Sequence, residues 1–171
     1  MLGAQVSFAR LGVLVDAVTP SALVQPSADT SYTVLGCIED FEITPSSDYI
    51  ERRCAPAGTG KFRTRTKVPI SQKLNYAFSM QQWTEMTLVE LLQNSDPAAS
   101  GVYTPNDRGA ALEGWLRINA FDHNDVEILD THILVQLDIG AYKFGENLDP
   151  YALTAELLYS SLNDGTATNL T

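Results

Sequence analysis

Cysteine and histidine are scarce in this 171-residue chain, which contains two of each. The cysteines, Cys37 and Cys54, lack the paired short spacing of a metal site and are too few for a disulfide framework, so we expect two reduced thiols. No nucleophile motif such as Gly-x-Ser-x-Gly accompanies His123 or His132. Because the carboxylates are spread along the chain, no catalytic acid–base pair can be assigned.

Long apolar runs and positive charge are lacking as well. The run at 11–15 ends at Asp16 and is too short for a secretory signal core, and no stretch is long enough for a transmembrane helix. The chain has 11 Lys and Arg residues against 21 Asp and Glu residues, a net charge of −10. This balance argues against tight binding to nucleic-acid phosphates or to an anionic membrane, but not against a surface along which nucleic acid slides.

Two ligand-binding motifs are approached but not completed. Residues 57–62 resemble a phosphate-binding loop, yet Ala55 replaces a required glycine and Phe62 replaces the serine or threonine that would hold magnesium. A calcium loop starting at Asp122 would have Glu127 in place of its glycine and Ile133 in place of its closing glutamate. We expect no metal, no cofactor and no enzymatic activity.

Alternation of apolar and polar residues dominates what is present. It predicts strands at 32–38 with a continuation to 44, and at 60–68, 74–80, 112–121 and 126–139. Pro69 predicts a bend after the second of these strands, and 122–125 predicts a hairpin loop. The pattern predicts a single domain over 1–171 that is mainly β, either a β-sandwich or a small barrel.

One segment has a helical period instead. In 84–93, Leu88, Leu91 and Leu92 share one stripe, and Thr84 can cap the first turn. This predicts one α-helix of about ten residues that flanks the β-structure.

The segment after residue 149 fits two interpretations. Asp149 and Pro150 are typical of a helix start, and 152–162 could follow as a helix. The same residues also alternate, with Leu153, Ala155 and Leu157 on one side, as in a strand. Local rules favour the helix.

Positive charge is concentrated in one stretch. Only four of the 11 basic residues lie outside it, together with all 21 acidic residues. Such a segment could contact the acidic surface of another copy, or could pair within its own molecule; nucleic-acid binding ranks third because ordered aromatic residues are missing. The basic residues of the stretch are Arg52, Arg53, Lys61, Arg63, Arg65, Lys67 and Lys73.

The order of these segments resembles that of bacteriophage major tail tube proteins, the tube subunits of long flexible-tailed phages. The resemblance lies in an N-terminal strand and arm, the strand Gly-Cys-Ile-Glu-Asp-Phe-Glu-Ile at 36–43, and a long loop at 44–60 that ends in a basic strand. A helix after the next strand, the block Gly-Trp-Leu-Arg-Ile-Asn-Ala-Phe-Asp at 114–122, and a Pro-led final segment complete it.

This resemblance implies that six copies form a ring and that rings stack into a hollow tube. It implies that the arm at 17–31, the loop at 44–60 and the segment 149–171 reach neighbouring subunits, and it favours a strand in that last segment. The partners would be other copies, other tail proteins at the tube ends, and DNA only in transit, without specific binding and without a membrane. The location would be the virion tail, assembled in the host cytoplasm.

The resemblance also suggests roles for particular residues. Arg117 and His132 share strand faces with the channel candidates, and we expect Arg117 to pair with Asp138 across strands. The subunit-interface candidates are Arg52, Arg53, Lys61, Arg63, Arg65 and Lys67. The candidates for lining the channel are Glu113, Asn119, Gln136 and Asp138.

Two other classes of protein remain open. One is a different phage structural protein, such as a tail terminator or a capsid-decorating protein, which would stop at a ring or trimer. The other is a monomeric β-sandwich binding module, which would expose aromatic platforms. Trp83 and Trp115 are expected to be structural instead.

Overall fold

The computed structural model describes residues 3–13, 19–26, 29–54, 63–84, 86–93, 95, 112–140, 142–143, 150–158 and 166–170. These residues form seven β-strands, so the predicted mainly-β class is confirmed. The strands are β1 Gly3–Arg10, β2 Thr33–Cys54, β3 Arg63–Met80, β4 Leu112–Phe121, β5 Glu127–Ile139, β6 Tyr151–Leu157 and β7 Thr166–Leu170. No helix among the described residues is long and apolar enough to span a membrane.

Six of the strands close into an antiparallel barrel. The order is β4-β1-β2-β3-β6-β5, and pairing of β4 with β5 closes the ring. Along one edge of β5, β6 pairs with residues 135–139 and β7 pairs with residues 129–133. Closure removes the open edges that a flat sheet would leave along most of these strands.

The barrel interior is filled by alternate side chains of its strands, as the period of two predicts. Phe8, Leu116, Ile133, Val135 and Leu153 are fully buried there. Val126 is exposed just before β5, and Asp122–Asp125 forms the predicted turn, with Asp125 at a φ of 60°. The sequence therefore predicted this hairpin.

The helix in the structure is shorter and wider than the predicted ten-residue α-helix. Met86–Leu91 is a six-residue π-helix in which Leu92 N–H donates to the Thr87 carbonyl, five residues earlier. Thr84 caps it as predicted: its N–H donates to Thr87 Oγ1 at 2.8 Å, and Thr87 N–H donates to Thr84 Oγ1 at 3.3 Å. Of the predicted leucine stripe, Leu91 is buried but Leu88 and Leu92 are only half-buried, and the wider turn buries Thr87 and Val89 beside Leu91.

Three further local predictions are corrected. The helix favoured by local rules after Pro150 is wrong, because Tyr151–Leu157 is strand β6, as the resemblance implied. Pro69 does not separate two strands, since β3 runs through it from Arg63 to Met80 with a register irregularity at Ile70. The predicted loop at 44–60 is strand β2 up to Cys54, and its remaining residues lie outside the described ranges.

Strands β2 and β3 are longer than the barrel. They pair from Ile38 opposite Met80 to Cys54 opposite Arg63, whereas β1 pairs with β2 only up to Cys37 and β6 pairs with β3 only from Asn75. Residues 45–54 and 63–74 therefore extend past the barrel as a two-stranded ribbon, here called the distal hairpin.

Candidate assembly surfaces

One half of the outer barrel surface forms an acidic face. Cross-strand register aligns outward side chains into three rows, because directly paired residues share a face. The rows are Asp40–Ser79–Ala152, Glu42–Ala77–Thr154–Asp138, and Thr44–Asn75–Glu156–Gln136–Glu113.

The acidic face contains five carboxylates among short or uncharged side chains. Lys73, one row further along β3, pairs with Glu156 at 2.6 Å. That ion pair is exposed and raises the pKa of Lys73, chiefly through its hydrogen bond to Glu156. The face is therefore a negatively charged sheet surface that is continuous from β2 across to β4.

Three of the four channel candidates lie together on this face. Glu113 is directly opposite Gln136, and Asp138 lies in the adjacent row. Asn119 is on the same side of β4 but near its other end, is only 8% exposed, and donates from Nδ2 to Glu127 Oε2 at 2.9 Å. The structure thus separates Asn119 from the other three.

The other half of the outer surface is covered by residues 19–26 and 29–32, here called the strap. Trp115 is fully buried and donates from its indole N–H to the Ser21 carbonyl at 2.8 Å. Tyr32 packs with Trp115 and Leu134 in a separate apolar cluster. The described part of the predicted arm at 17–31 therefore lies against its own barrel.

A buried ionic network lies beneath the strap. Arg117 donates from Nε and one terminal nitrogen to the two oxygens of Asp130, at 2.8 and 2.9 Å. The expected pairing of Arg117 with Asp138 is wrong, since Arg117 is opposite His132, six positions from Asp138. Asp130 also lies 3.1 Å from His132 Nε2, and His132 Nδ1 lies 2.8 Å from the Tyr32 hydroxyl.

The pKa values of this network follow from burial and charge. Burial raises the pKa of Asp130, but the Arg117 hydrogen bond and the nearby His132 and Arg117 charges outweigh it and hold that pKa below its ordinary 3.8. Burial raises the pKa of Tyr32, so its hydroxyl keeps its proton. Near neutral pH, Asp130 is therefore an ionised carboxylate and Tyr32 is a neutral phenol.

Replacing Asp130 with Asn should lower the free energy of unfolding by about 3 kcal/mol, because it leaves the Arg117 guanidinium buried without its carboxylate. Urea unfolding at pH 7 measures this difference. The matched control is Asp138→Asn on the exposed acidic face, which should change stability by less than about 0.5 kcal/mol.

The difference should also depend on pH in a defined direction. A carboxyl with a lowered pKa in the folded state stabilises the fold above its ordinary pKa of 3.8 and loses that contribution as pH falls through the folded pKa. The gap between the wild type and Asp130→Asn should therefore close in acid. A gap that stays constant below pH 3.8 would contradict the assignment.

The distal hairpin exposes apolar side chains. The directly opposed pair Ile50 and Val68 is 54% and 44% exposed. Tyr49 is 53% exposed, and because consecutive residues in a strand point to opposite faces, Tyr49 and Ile50 place apolar surface on both sides of the hairpin. Ile70, the extra residue at an irregularity in the β2–β3 register, is 61% exposed.

The basic interface candidates cluster on the same hairpin. Arg52 and Arg53 lie in β2, and Arg63, Arg65 and Lys67 in β3; Lys61 falls outside the described residues. Lys67 pairs with Glu51 within the molecule at 3.2 Å, as Lys73 does with Glu156. Intramolecular pairing therefore accounts for these two lysines of the basic stretch.

The described residues contain no group of three or more His, Cys, Asp or Glu side chains arranged to hold a metal ion. Cys37 is exposed with a free thiol. The candidate surfaces among the described residues are the acidic face and the distal hairpin.

The fold resembles several chains of solved structures. No family model matches the chain, and no curated protein matches its sequence. The fold is similar to a chain in the six-fold symmetrised cryo-EM structure of the anti-feeding prophage (AFP) baseplate, with 11% identity and a TM-score of 0.38 over 97% of this chain and 91% of that one.

Proposed function

We propose that this protein is a structural subunit of a bacteriophage tail tube, whose copies form rings of six that stack around an acidic channel for DNA. The observation that supports this most directly is the distal hairpin. It extends beyond the barrel, exposes apolar side chains on both faces, and pairs with no third strand among the described strands.

A two-stranded ribbon of this kind is only weakly stabilised in an isolated monomer. Isolated two-stranded hairpins are marginally stable in water, and open strand edges pair readily with other chains. Contiguous apolar surface of this kind marks an interaction site. The hairpin is therefore completed by contacts that the monomer does not supply.

Charge favours another copy of the same chain as the partner. The distal hairpin contains most of the basic stretch, and the barrel of the same chain presents the acidic face. A surface that complements a different surface of its own molecule produces head-to-tail contacts, which close into rings or continue as stacks.

The acidic face then suits the wall of a channel for DNA. Its five carboxylates repel phosphates, and the counterions they attract keep a hydrated layer between wall and duplex. Its other side chains are short, such as Ala77, Ser79, Ala152 and Thr154, and offer few contacts that would hold DNA in place.

Negative-stain electron microscopy of the purified protein at rising concentration tests this proposal. We expect hollow tubes of unlimited length. Rings or trimers that never stack would instead favour a tail terminator or a capsid-decorating protein. A monomer at every concentration would refute self-assembly and favour a binding module.

Replacing both Arg63 and Arg65 with Glu should abolish tube formation while leaving a folded monomer, because the change reverses charge at the contact with an acidic neighbour. Circular dichroism verifies the fold, and electron microscopy scores the tubes. The matched control is Lys143→Glu, which reverses an exposed positive charge outside the hairpin. Normal tubes from the double variant would show that the basic stretch is not the contact.

A further inference from the structure

The Tyr32 hydroxyl faces two hydrogen-bond acceptors with only one proton to donate. It lies 2.8 Å from His132 Nδ1, on the barrel, and 3.4 Å from the Pro26 carbonyl oxygen, within the strap. A carbonyl oxygen can only accept, so Pro26 is satisfied by this hydroxyl only when Tyr32 donates to it. The state of Nδ1 decides whether Tyr32 is available to do so.

The other ring nitrogen of His132 is fixed by Asp130. Nε2 lies 3.1 Å from Asp130 Oδ1, and a carboxylate only accepts, so Nε2 holds a proton. The low pKa of Asp130, to which the Arg117 hydrogen bond contributes, keeps that carboxylate ionised at neutral pH. A neutral His132 therefore has a bare Nδ1, whereas a charged His132 has a proton on both nitrogens.

The two states give different hydrogen bonds to the strap. When His132 is neutral, the Tyr32 hydroxyl donates to Nδ1 and the Pro26 carbonyl loses its donor. When His132 is charged, Nδ1–H donates to the Tyr32 oxygen, and the hydroxyl proton is free for Pro26. Only the charged state satisfies all three groups, and these groups are buried, where an unsatisfied carbonyl is costly.

Among the described residues, the charged groups around His132 allow both its neutral and its charged form. β5 supplies the negative Asp130 and β4 the positive Arg117, which pair with each other. Ser7 of β1 lies opposite Arg117, and β7, which pairs with His132 through Ala167, has no ionisable residue among Thr166–Leu170. The strap contributes Tyr32 itself, whose raised pKa keeps it a donor.

We propose that the strap is latched to the barrel by a proton on His132, so that lowering the pH through the histidine range tightens strap docking and raising it loosens the strap. An imidazole changes charge between about pH 5 and 8. The sign follows because the docked state favours charged His132: the extra stability is present at low pH and is lost as pH rises.

Hydrogen exchange measured by NMR tests the latch in the intact protein. Two protons report strap docking: the Trp115 indole N–H bonded to Ser21, and the Gly12 amide bonded to Pro20. After correction for intrinsic exchange, we expect their protection to rise about fivefold from pH 8 to pH 5, the effect of one net hydrogen bond. The His132 ring titration, followed in the same samples, should have the same midpoint.

Tyr32→Phe removes the shared hydroxyl and keeps the ring. It should abolish the pH dependence of strap protection and lower the midpoint of the His132 titration, because the charged ring loses its acceptor. His132→Gln, which does not titrate, should also abolish the dependence and serves if Tyr32→Phe does not fold. His123→Gln, in the exposed turn, is the matched control and should leave both measurements unchanged.

Three results would overturn the latch. They are protection that does not vary between pH 5 and 8, the same pH dependence in the Tyr32 or His132 variant as in the wild type, and loss of the dependence in the His123 control. None of these measurements requires tube formation, so a negative result for the latch does not contradict the proposed function, and the reverse is also true.

Discussion

Aspartate at both Tyr49 and Ile50 is expected to keep the protein monomeric at concentrations at which the wild type assembles. These neighbours face opposite sides of the distal hairpin and are more than half exposed in the monomer, so the change costs little in the free chain. In an assembly that covers both faces, each carboxylate would be buried without a partner, at a cost of about 2 kcal/mol or more. Two such sites weaken association by at least about 100-fold, since each 1.4 kcal/mol is about tenfold.

The matched control adds the same charge to the same strand. Thr44→Asp with Ser46→Asp places both carboxylates at the barrel end of the paired strands, directly beside the acidic face, where the proposed channel already contains negative charge. Analytical ultracentrifugation compares the two double variants, and circular dichroism confirms that both monomers are folded. If the Tyr49 and Ile50 variant assembles like the wild type, the hairpin is not the contact between subunits. The same conclusion follows if the control variant also stays monomeric.

The strands themselves could be predicted because alternation is local information. Alternation over 74–80 predicted a strand there, and Leu74, Tyr76 and Phe78 share the inner face of β3. The pairing of β1 with β4, and of β3 with β6, depends on contacts between distant segments that no local pattern encodes. The barrel closure therefore appears only in the structure.

The distal hairpin was missed because proline normally interrupts strands. Pro69 led to a predicted bend and the resemblance implied a loop from residue 44, yet Pro45 and Pro69 both lie in paired strands. Proline is tolerated where one strand edge has no ladder partner, and the described hairpin residues have such an edge on each strand. The α-helix prediction was wrong for a different reason. Thr84 marks the start of the helix, but the leucine spacing does not indicate that the backbone hydrogen bonds span five residues instead of four.

The candidate surfaces were predicted only in part. Glu113, Gln136 and Asp138 were placed on one face by their parity in β4 and β5, and they do lie together. Parity does not say how far along a strand a residue lies, nor what covers it, so Asn119 and Arg117 were grouped with them although both lie at the covered end. Whether the acidic face lines a channel stays a prediction.

Replacing Gly114 with Ala should be among the most destabilising single substitutions in the chain. A Cβ at this position in β4 would overlap the Phe8 ring and the main-chain carbonyl oxygen of Ala9 on the neighbouring strand β1. The ring could rotate, but the carbonyl belongs to the ladder that holds the barrel together, so the strands must separate. We expect a loss of about 3 kcal/mol or more in the free energy of unfolding and a fall in Tm of roughly 10 °C for a chain of this size.

Gly140→Ala is the matched control for this substitution. Gly140 follows directly on β5, and a Cβ there would meet no atom within 4 Å, so the same added methyl should leave stability unchanged or slightly improved. Thermal and urea unfolding of the two variants give the comparison. Equal stability of the Gly114 and Gly140 variants would mean that β1 and β4 do not approach as closely as the register requires, and the barrel closure that supports the acidic face would then be wrong.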